Sequence, residues 1–261
     1  MTPYKSALIT GASSGIGRAL AEALAAPGVT LHLGGRDAAR LEAAAAACRA
    51  RGAVALPMAV DATDAAGMAA WIAGAGRLDL VVANAGVSGG TGIGGGETAA
   101  QTREIFAVNV DGVFNTALPA LEVMAGQDVG AGGKRGTIAV VASIAALLPT
   151  PGAPAYGASK AAVDAWTVAR ARSAAAAGIQ MTSICPGFIR TPMTAPNPYR
   201  MPGLMEADAA AGFILRGLAR GRARVVFPWW MGLAARIVGL LPFGQRLMAS
   251  QPGKGALPDR G

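Results

Sequence analysis

"SALITGASSGIGRALAEALAA", Ser6 to Ala26, passes without a break from a short apolar run through a glycine-rich turn into a helical pattern of alanine and leucine. Glycine lets backbone approach a ligand closely, and the helix that follows offers free N–H groups and the positive end of its dipole to an anion. Gly11, Ser13, Ser14, Gly15, Ile16 and Gly17 therefore read as a cradle for the phosphates of a dinucleotide. The spacing is GxxxGxG and not the commoner GxGxxG, so a plain tight turn is the competing reading. The letters "GASSG" also fit GxSxG, the elbow that would make Ser13 a hydrolytic nucleophile. That chemistry needs a histidine base late in the chain, whereas the single histidine, His32, falls in the second strand run, where it reads as a packed residue.

Outward from this turn, seven short β-prone runs alternate with alanine-rich helical stretches: "SALIT", "TLHL", "AVALPMAV", "LDLVVANAG", "GTIAVVAS", "QMTSICPG" and "RVVFP". The alternation predicts parallel βαβ crossovers and a Rossmann-type, doubly wound α/β sheet of seven strands. The runs are apolar without clean alternation, which implies strands buried on both faces by helices. A chain of 261 residues suits one large domain, and its 52% hydrophobic content argues for an extensive core. The amino terminus lacks the apolar length of a signal or membrane segment, so a cytoplasmic location is expected. Cys48 and Cys185 are isolated, which suggests two buried thiols and no metal site. The net charge of +8 is spread along the chain; its densest cluster, "RGLARGRAR", reads as a solvated helix end and not as a nucleic-acid surface.

At the end of the second strand, where an acid would bind the ribose hydroxyls of NAD, the chain carries Gly35 followed by Arg36. A guanidinium there suits the extra phosphate of NADP, so NADP(H) is preferred; Asp37, read as a helix cap, leaves NAD(H) open. In "AYGASKAAV", Tyr156 and Lys160 stand four apart and share one helix face. A phenol is a poor base at neutral pH, but an adjacent ammonium stabilises its phenolate. Ser143 ends the fifth strand at the carboxyl edge of the sheet, where ligands of such folds bind.

Taken with Asp61 in "VDATD", "ANAG" at Ala83 to Gly86, Asn109 in "NVDG" and "PGFIRT", these motifs make the chain resemble the short-chain dehydrogenase/reductase family, over Lys5 to Pro228. The resemblance implies that Tyr156 exchanges a proton with the substrate oxygen, that Lys160 binds the nicotinamide ribose and lowers the tyrosine pKa, and that Ser143 polarises the carbonyl. Asn109 would hold a water linking Lys160 to solvent; otherwise it reads as a helix-bending side chain. Asp61 and Ala62 would meet the adenine, and Asn84, Ala85 and Gly86 would flank the cofactor. Pro186, Gly187, Ile189 and Thr191 would run past the nicotinamide amide. The family also implies transfer to the B face, and a homodimer or homotetramer built through Gln101 to Ala125 and Tyr156 to Ala177. Two departures stand out: "ANAG" replaces "NNAG", and no basic side chain precedes Gly15 to give a second hold on the 2′-phosphate.

The segment of about 190–210, rich in proline and methionine and holding Tyr199, reads as a substrate lid for a hydrophobic ketone or aldehyde, with Arg190 or Arg200 as hooks for an anionic one. Phe227 to Met248 reads as an apolar segment headed by Trp229 and Trp230 and interrupted by Pro242. Packing on the pocket or on a second copy is favoured over contact with a membrane surface and over a route for lipid-like substrates. The non-enzymatic alternative is a regulator or scaffold that binds the dinucleotide and turns nothing over.

Overall fold

Strand β1 (Ser6–Thr10) shows why the chain layers as it does. Ala7 and Ile9 enter one buried cluster and Leu8 the other, because successive side chains of a strand leave opposite faces. The computed structural model describes residues 4–89, 97–130, 132–197 and 200–240. Within them the chain runs β1, α1 (Gly15–Leu24), β2 (Thr30–Gly35), α2 (Ala38–Arg49), β3 (Val54–Ala59), α3 (Ala65–Gly74) and β4 (Leu80–Ala83). It continues through α4 (Ala99–Phe106), α5 (Gly112–Ala125), β5 (Gly136–Val141), α6 (Pro154–Ala176) and β6 (Ile179–Pro186). After a small parallel pair, β7 (Ile189–Arg190) and β8 (Met205–Glu206), come α7 (Ala207–Ala219), β9 (Arg224–Phe227) and α8 (Trp229–Leu240).

The main sheet has seven parallel strands in the order β3-β2-β1-β4-β5-β6-β9, so the winding reverses between β1 and β4 and opens a crevice at their carboxyl ends. Leu20, Leu41 and Ile214 bring α1, α2 and α7 onto one face; Ile72, Val113 and Val163 bring α3, α5 and α6 onto the other. Each fully buried leucine or isoleucine of these layers contributes about 1.5–3 kcal/mol. Helix starts follow local chemistry: Asp37 accepts from the Arg40 amide, Asp64 from the Gly67 amide, and Thr98 with Gln101 closes a capping box.

All seven expected strands form. One expectation fails at the edge: β3 is not fully covered, and Val54, Leu56 and Met58 are exposed on the strand that ends the sheet. The long helix expected from Gln101 to Ala125 begins at Ala99 and is broken by a π turn, Ala107–Asp111. There the Gly112 amide reaches back to the Ala107 carbonyl. The segment from Phe227 is helical through α8; Pro242 and Arg246, like Tyr199 in the lid, lie outside the described residues. No helix among the described residues is long and apolar enough to cross a membrane.

Candidate active site

The crevice at the β1–β4 reversal is a cavity of about 300 Å³. Its backbone wall is the turn between β1 and α1. Gly11 and Gly15 adopt φ of +64° and +53°, the left-handed region that costs a side chain dearly. Gly17 is needed for a different reason: a Cβ there would lie 2.4 Å from the Gly11 carbonyl oxygen and 2.5 Å from Asn84 Nδ2. Ser14, at the helix N-cap, makes no side-chain bond to the first turn of α1, so those amides keep their capacity for an anion.

The opposite lip is stitched to this turn by two residues. Asn84 Nδ2 donates to the carbonyls of Thr10 (2.9 Å) and Gly11 (3.2 Å). Thr10 Oγ1 accepts from the amides of Asn84 (3.0 Å) and Ala85 (3.1 Å). Asn84 is among the residues expected from the sequence and Thr10 is not, although it stands directly before Gly11.

Further along the cavity lie Gly35, Arg36, Asp37 and Arg40. Asp37 is occupied: its carboxylate takes the Arg40 amide at 3.0 Å and Arg40 Nε at 2.6 Å, and these bonds hold it below the usual carboxylate range. Arg40 thus supplies a second guanidinium that sequence reading missed. The site of a Cβ on Gly35 has only ordinary contacts, at 3.6 Å to Leu41 and Ser13. Asp61 and Ala62 line the same end, with Asp61 lowered chiefly by its bond from the Thr63 amide.

At the other end of the cavity Ser143, Tyr156 and Lys160 converge. Ser143 sits just past β5, capping a short 3-10 turn (Ile144–Leu147), where its Oγ accepts from the Ala145 amide at 3.1 Å and keeps its own proton to donate. Lys160 is 4% exposed, donates from Nζ to the Val141 carbonyl at 2.8 Å and lies 5.9 Å from the centre of the Tyr156 ring. Burial pulls its pKa down to about 8.

Asn109 is fully buried in the π turn. Its Oδ1 accepts from the Val87 amide at 2.8 Å, and its Nδ2 donates to the Val87 carbonyl at 2.9 Å and to Ser159 Oγ at 3.1 Å. Ser159 in turn donates to the Tyr156 carbonyl at 2.8 Å, so Asn109 clamps the turn that bears the tyrosine. A Cβ on Gly86 would stand 3.1 Å from Asn109 Oδ1 and 3.3 Å from Lys160 Nζ, so both polar atoms face one small space that glycine keeps clear. Asn109 thus sits in the π turn with its Oδ1 on the space that Lys160 Nζ also faces.

Pro186, Gly187, Ile189 and Thr191 close the cavity from the β6 side, and Thr191 abuts Gly15. Gly187 packs under Pro228, Met231 and Ile144, which brings α8 to the substrate end. His32 faces away, beside Leu56 and Trp71, and burial lowers its pKa.

Two supports were not legible in the sequence. Glu97 Oε2 accepts from the Ala155 amide at 2.6 Å, giving the otherwise uncapped N-terminus of α6 its acceptor. One turn beyond Lys160, buried Asp164 receives Arg224 Nε at 2.8 Å and Nη2 at 2.6 Å, together with Ser183 Oγ at 2.6 Å. This pair clips β9 to α6, and burial first, then the Asp164 carboxylate, push the neighbouring Cys185 thiol up to about 12 against a lowering pull from Arg224.

The short chain dehydrogenase family model matches residues 5–200. An uncharacterized oxidoreductase of Myxococcus xanthus is 37% identical over 243 residues, covering 92% of this chain and 93% of the relative. A short-chain dehydrogenase from Sphingobium yanoikuyae, solved with NADPH, superposes with a TM-score of 0.77 at 28% identity, covering 97% of this chain and 98% of that one. A short chain dehydrogenase from Mycobacterium paratuberculosis bound to NAD gives 0.73 at 25% identity, over 87% and 97%. With the family model spanning most of the chain and a relative of such identity along nearly all of it, the chain belongs to the short chain dehydrogenases, oxidoreductases that act on CH–OH and C=O groups with NAD(P).

Proposed function

We propose that the protein is an NADPH-dependent reductase of hydrophobic ketones or aldehydes, with Tyr156 as the proton donor. The observation that carries this reading is the convergence of Ser143, Tyr156 and the buried Lys160 ammonium at one end of a glycine-walled cavity.

The cavity suits a dinucleotide: side chains at Gly11, Gly15 or Gly17 would fill or strain the wall that meets the phosphates. Arg36 and Arg40 offer two guanidinium groups to a 2′-phosphate, and Asp37, engaged by Arg40, has little left for ribose hydroxyls. The Sphingobium relative carries NADPH, and the mycobacterial one carries NAD, so NADH remains the weaker partner in this reading.

When bound, the nucleotide supplies the hydride that reaches the carbonyl carbon. Ser143 donates a hydrogen bond to the carbonyl oxygen and orients it. Tyr156 gives its phenolic proton to that oxygen as negative charge develops there, and the Lys160 ammonium stabilises the phenolate left behind. Asn109 and Ser159 hold the tyrosine's backbone in place. Apolar Ile144, Pro228 and Met231 back the cavity behind Gly187 at the substrate end, and Arg190 is paired with Glu206 at 2.7 Å, which favours a hydrophobic carbonyl compound over an anionic one. Exposed Phe106 and Leu118 on α4 and α5 support assembly as a homodimer or homotetramer, which light scattering measures directly.

The test is a fluorescence titration with NADPH and NADH side by side, then nucleotide oxidation against a panel of hydrophobic ketones and aldehydes. NADPH should bind more tightly and be oxidised only with a carbonyl present. Tyr156→Phe should lower turnover by about 1,000-fold or more and leave NADPH binding intact. Nucleotide binding without turnover of any carbonyl would point to a regulator instead, and turnover retained by Tyr156→Phe would remove the tyrosine from the mechanism.

A further inference from the structure

Helix α8 has two apolar faces, and among the described residues only one of them is covered. Inward, Ala235 is buried, Gly232 lies against Val226, and Met231 packs over Gly187 at the substrate end. Outward, Trp229, Leu233 and Ile237 repeat at four-residue spacing with Trp230 beside them, and these four are 73%, 51%, 50% and 44% exposed. Trp229 is the most exposed large hydrophobic among the described residues. Such a contiguous stripe marks a contact surface, not the scattered apolar residues of an ordinary exterior.

The composition of the sequence on either side of it points to the partner. From Ala209 to Pro258 the sequence has no acidic residue and seven basic ones: Arg216, Arg220, Arg222, Arg224, Arg236, Arg246 and Lys254. The net charge of that stretch is therefore +7, against +8 for the whole chain. Arg224 is spent on Asp164, but Arg236 lies exposed on α8 itself and forms no salt bridge among the described residues. Tryptophan at the head, arginine on the flank and twelve residues of helix, about 18 Å and too short to span a bilayer, fit a helix lying in a lipid interface.

We propose that the outward face of α8 docks on an anionic phospholipid surface. The inner face of the same helix packs behind Gly187 at the substrate end, so a docked molecule receives apolar carbonyl compounds from the lipid phase. That last clause rests on the reductase reading; the docking does not, because it is measured without nucleotide or substrate.

The experiment is co-sedimentation of the full chain with vesicles of phosphatidylcholine alone or mixed with phosphatidylglycerol, at low and high salt. The wild type should be retained by the mixed vesicles, less so as salt rises. The double variant Trp229→Ser, Leu233→Ser should bind at least about ten-fold more weakly, while reducing a small water-soluble ketone at the wild-type rate. Ile237→Glu, on the same stripe, should behave alike, and unchanged thermal midpoints would separate lost docking from lost folding. Absence of wild-type retention on either vesicle, or equal retention of wild type and both variants, would overturn the proposal. So would a wild type that ignores vesicles and sediments as a larger oligomer than the variants, since the stripe would then join two copies of the chain.

Discussion

The two ends of the cavity are built from different materials. At the nucleotide end the wall is backbone: the turn from Gly11 to Gly17, laced to β4 by Thr10 and Asn84, with glycine wherever a Cβ would intrude. At the substrate end the lining is side chain, with Ser143, Tyr156, Lys160 and Met193 drawn from segments far apart in sequence, and Ile144, Met231 and Pro228 back it by packing on Gly187. Backbone walls fix one ligand shape and tolerate almost no substitution, whereas side-chain walls can be re-cut one residue at a time. The difference predicts that mutations of similar size will have unequal effects at the two ends.

The severest test is Gly17→Ala. The added Cβ meets a backbone oxygen at 2.4 Å, which cannot move aside as a side chain can. An overpacking cost of about 3 kcal/mol should weaken nucleotide binding by ~100-fold in a fluorescence titration and lower the thermal midpoint as well. A mild phenotype would mean that the turn is softer than its geometry implies.

Arg224→Met probes the structure between the two ends. It strands the Asp164 carboxylate, whose side chain is only 6% exposed, and should cost about 3 kcal/mol in denaturant unfolding. Adding Asp164→Leu should recover most of that loss, since an apolar pair of similar volume no longer leaves a charge without a partner. Failure to recover would assign the carboxylate's worth to Ser183 and Cys185.

Lys160 gives a pH signature. Its folded pKa is about 8, below its ordinary value of 10.5, so between these limits the unfolded chain holds a proton that the folded chain has released. Stability of the nucleotide-free protein should therefore rise with pH across that window, by at most about 3 kcal/mol, and Lys160→Met should flatten the rise. Below pH 8 the buried ammonium is present and its desolvation opposes folding.

Smaller effects should come from Gly35→Asp, where the new side chain has room and would compete with the 2′-phosphate. NADPH should bind about ten-fold more weakly and NADH should gain. Least of all, Met231→Ala should change KM for bulky ketones by about five-fold with nucleotide affinity unmoved. If Met231→Ala disturbed nucleotide binding as much as Gly35→Asp, the two ends would not be separable.

The same contrast explains what the sequence made legible. The glycine turn, the seven strands and the Ser143, Tyr156 and Lys160 set are local patterns: each sits within a few residues of the strand or helix that positions it. Glu97 and Ala155 stand 58 residues apart, and Asp164 and Arg224 stand 60 apart. No local periodicity joins such partners; only the folded sheet does. Asp164 did carry a faint signal, an acid one turn after Lys160 on a face that is otherwise small and apolar. The exposure of β3 was missed because an edge strand and a central one can share the same apolar letters.

The π turn at Asn109 has a consequence for how the long helix is read. A five-residue turn spends one residue more than the α-helix needs, so α5 is out of phase with α4 by roughly 100°. A single helical wheel drawn over both would put the wrong side chains together. Deleting one residue from the turn would let the helix run straight, with every hydrogen bond regular, and would swing Asn109 away from Val87 and Ser159. The most regular helix is thus the one that would undo the clamp.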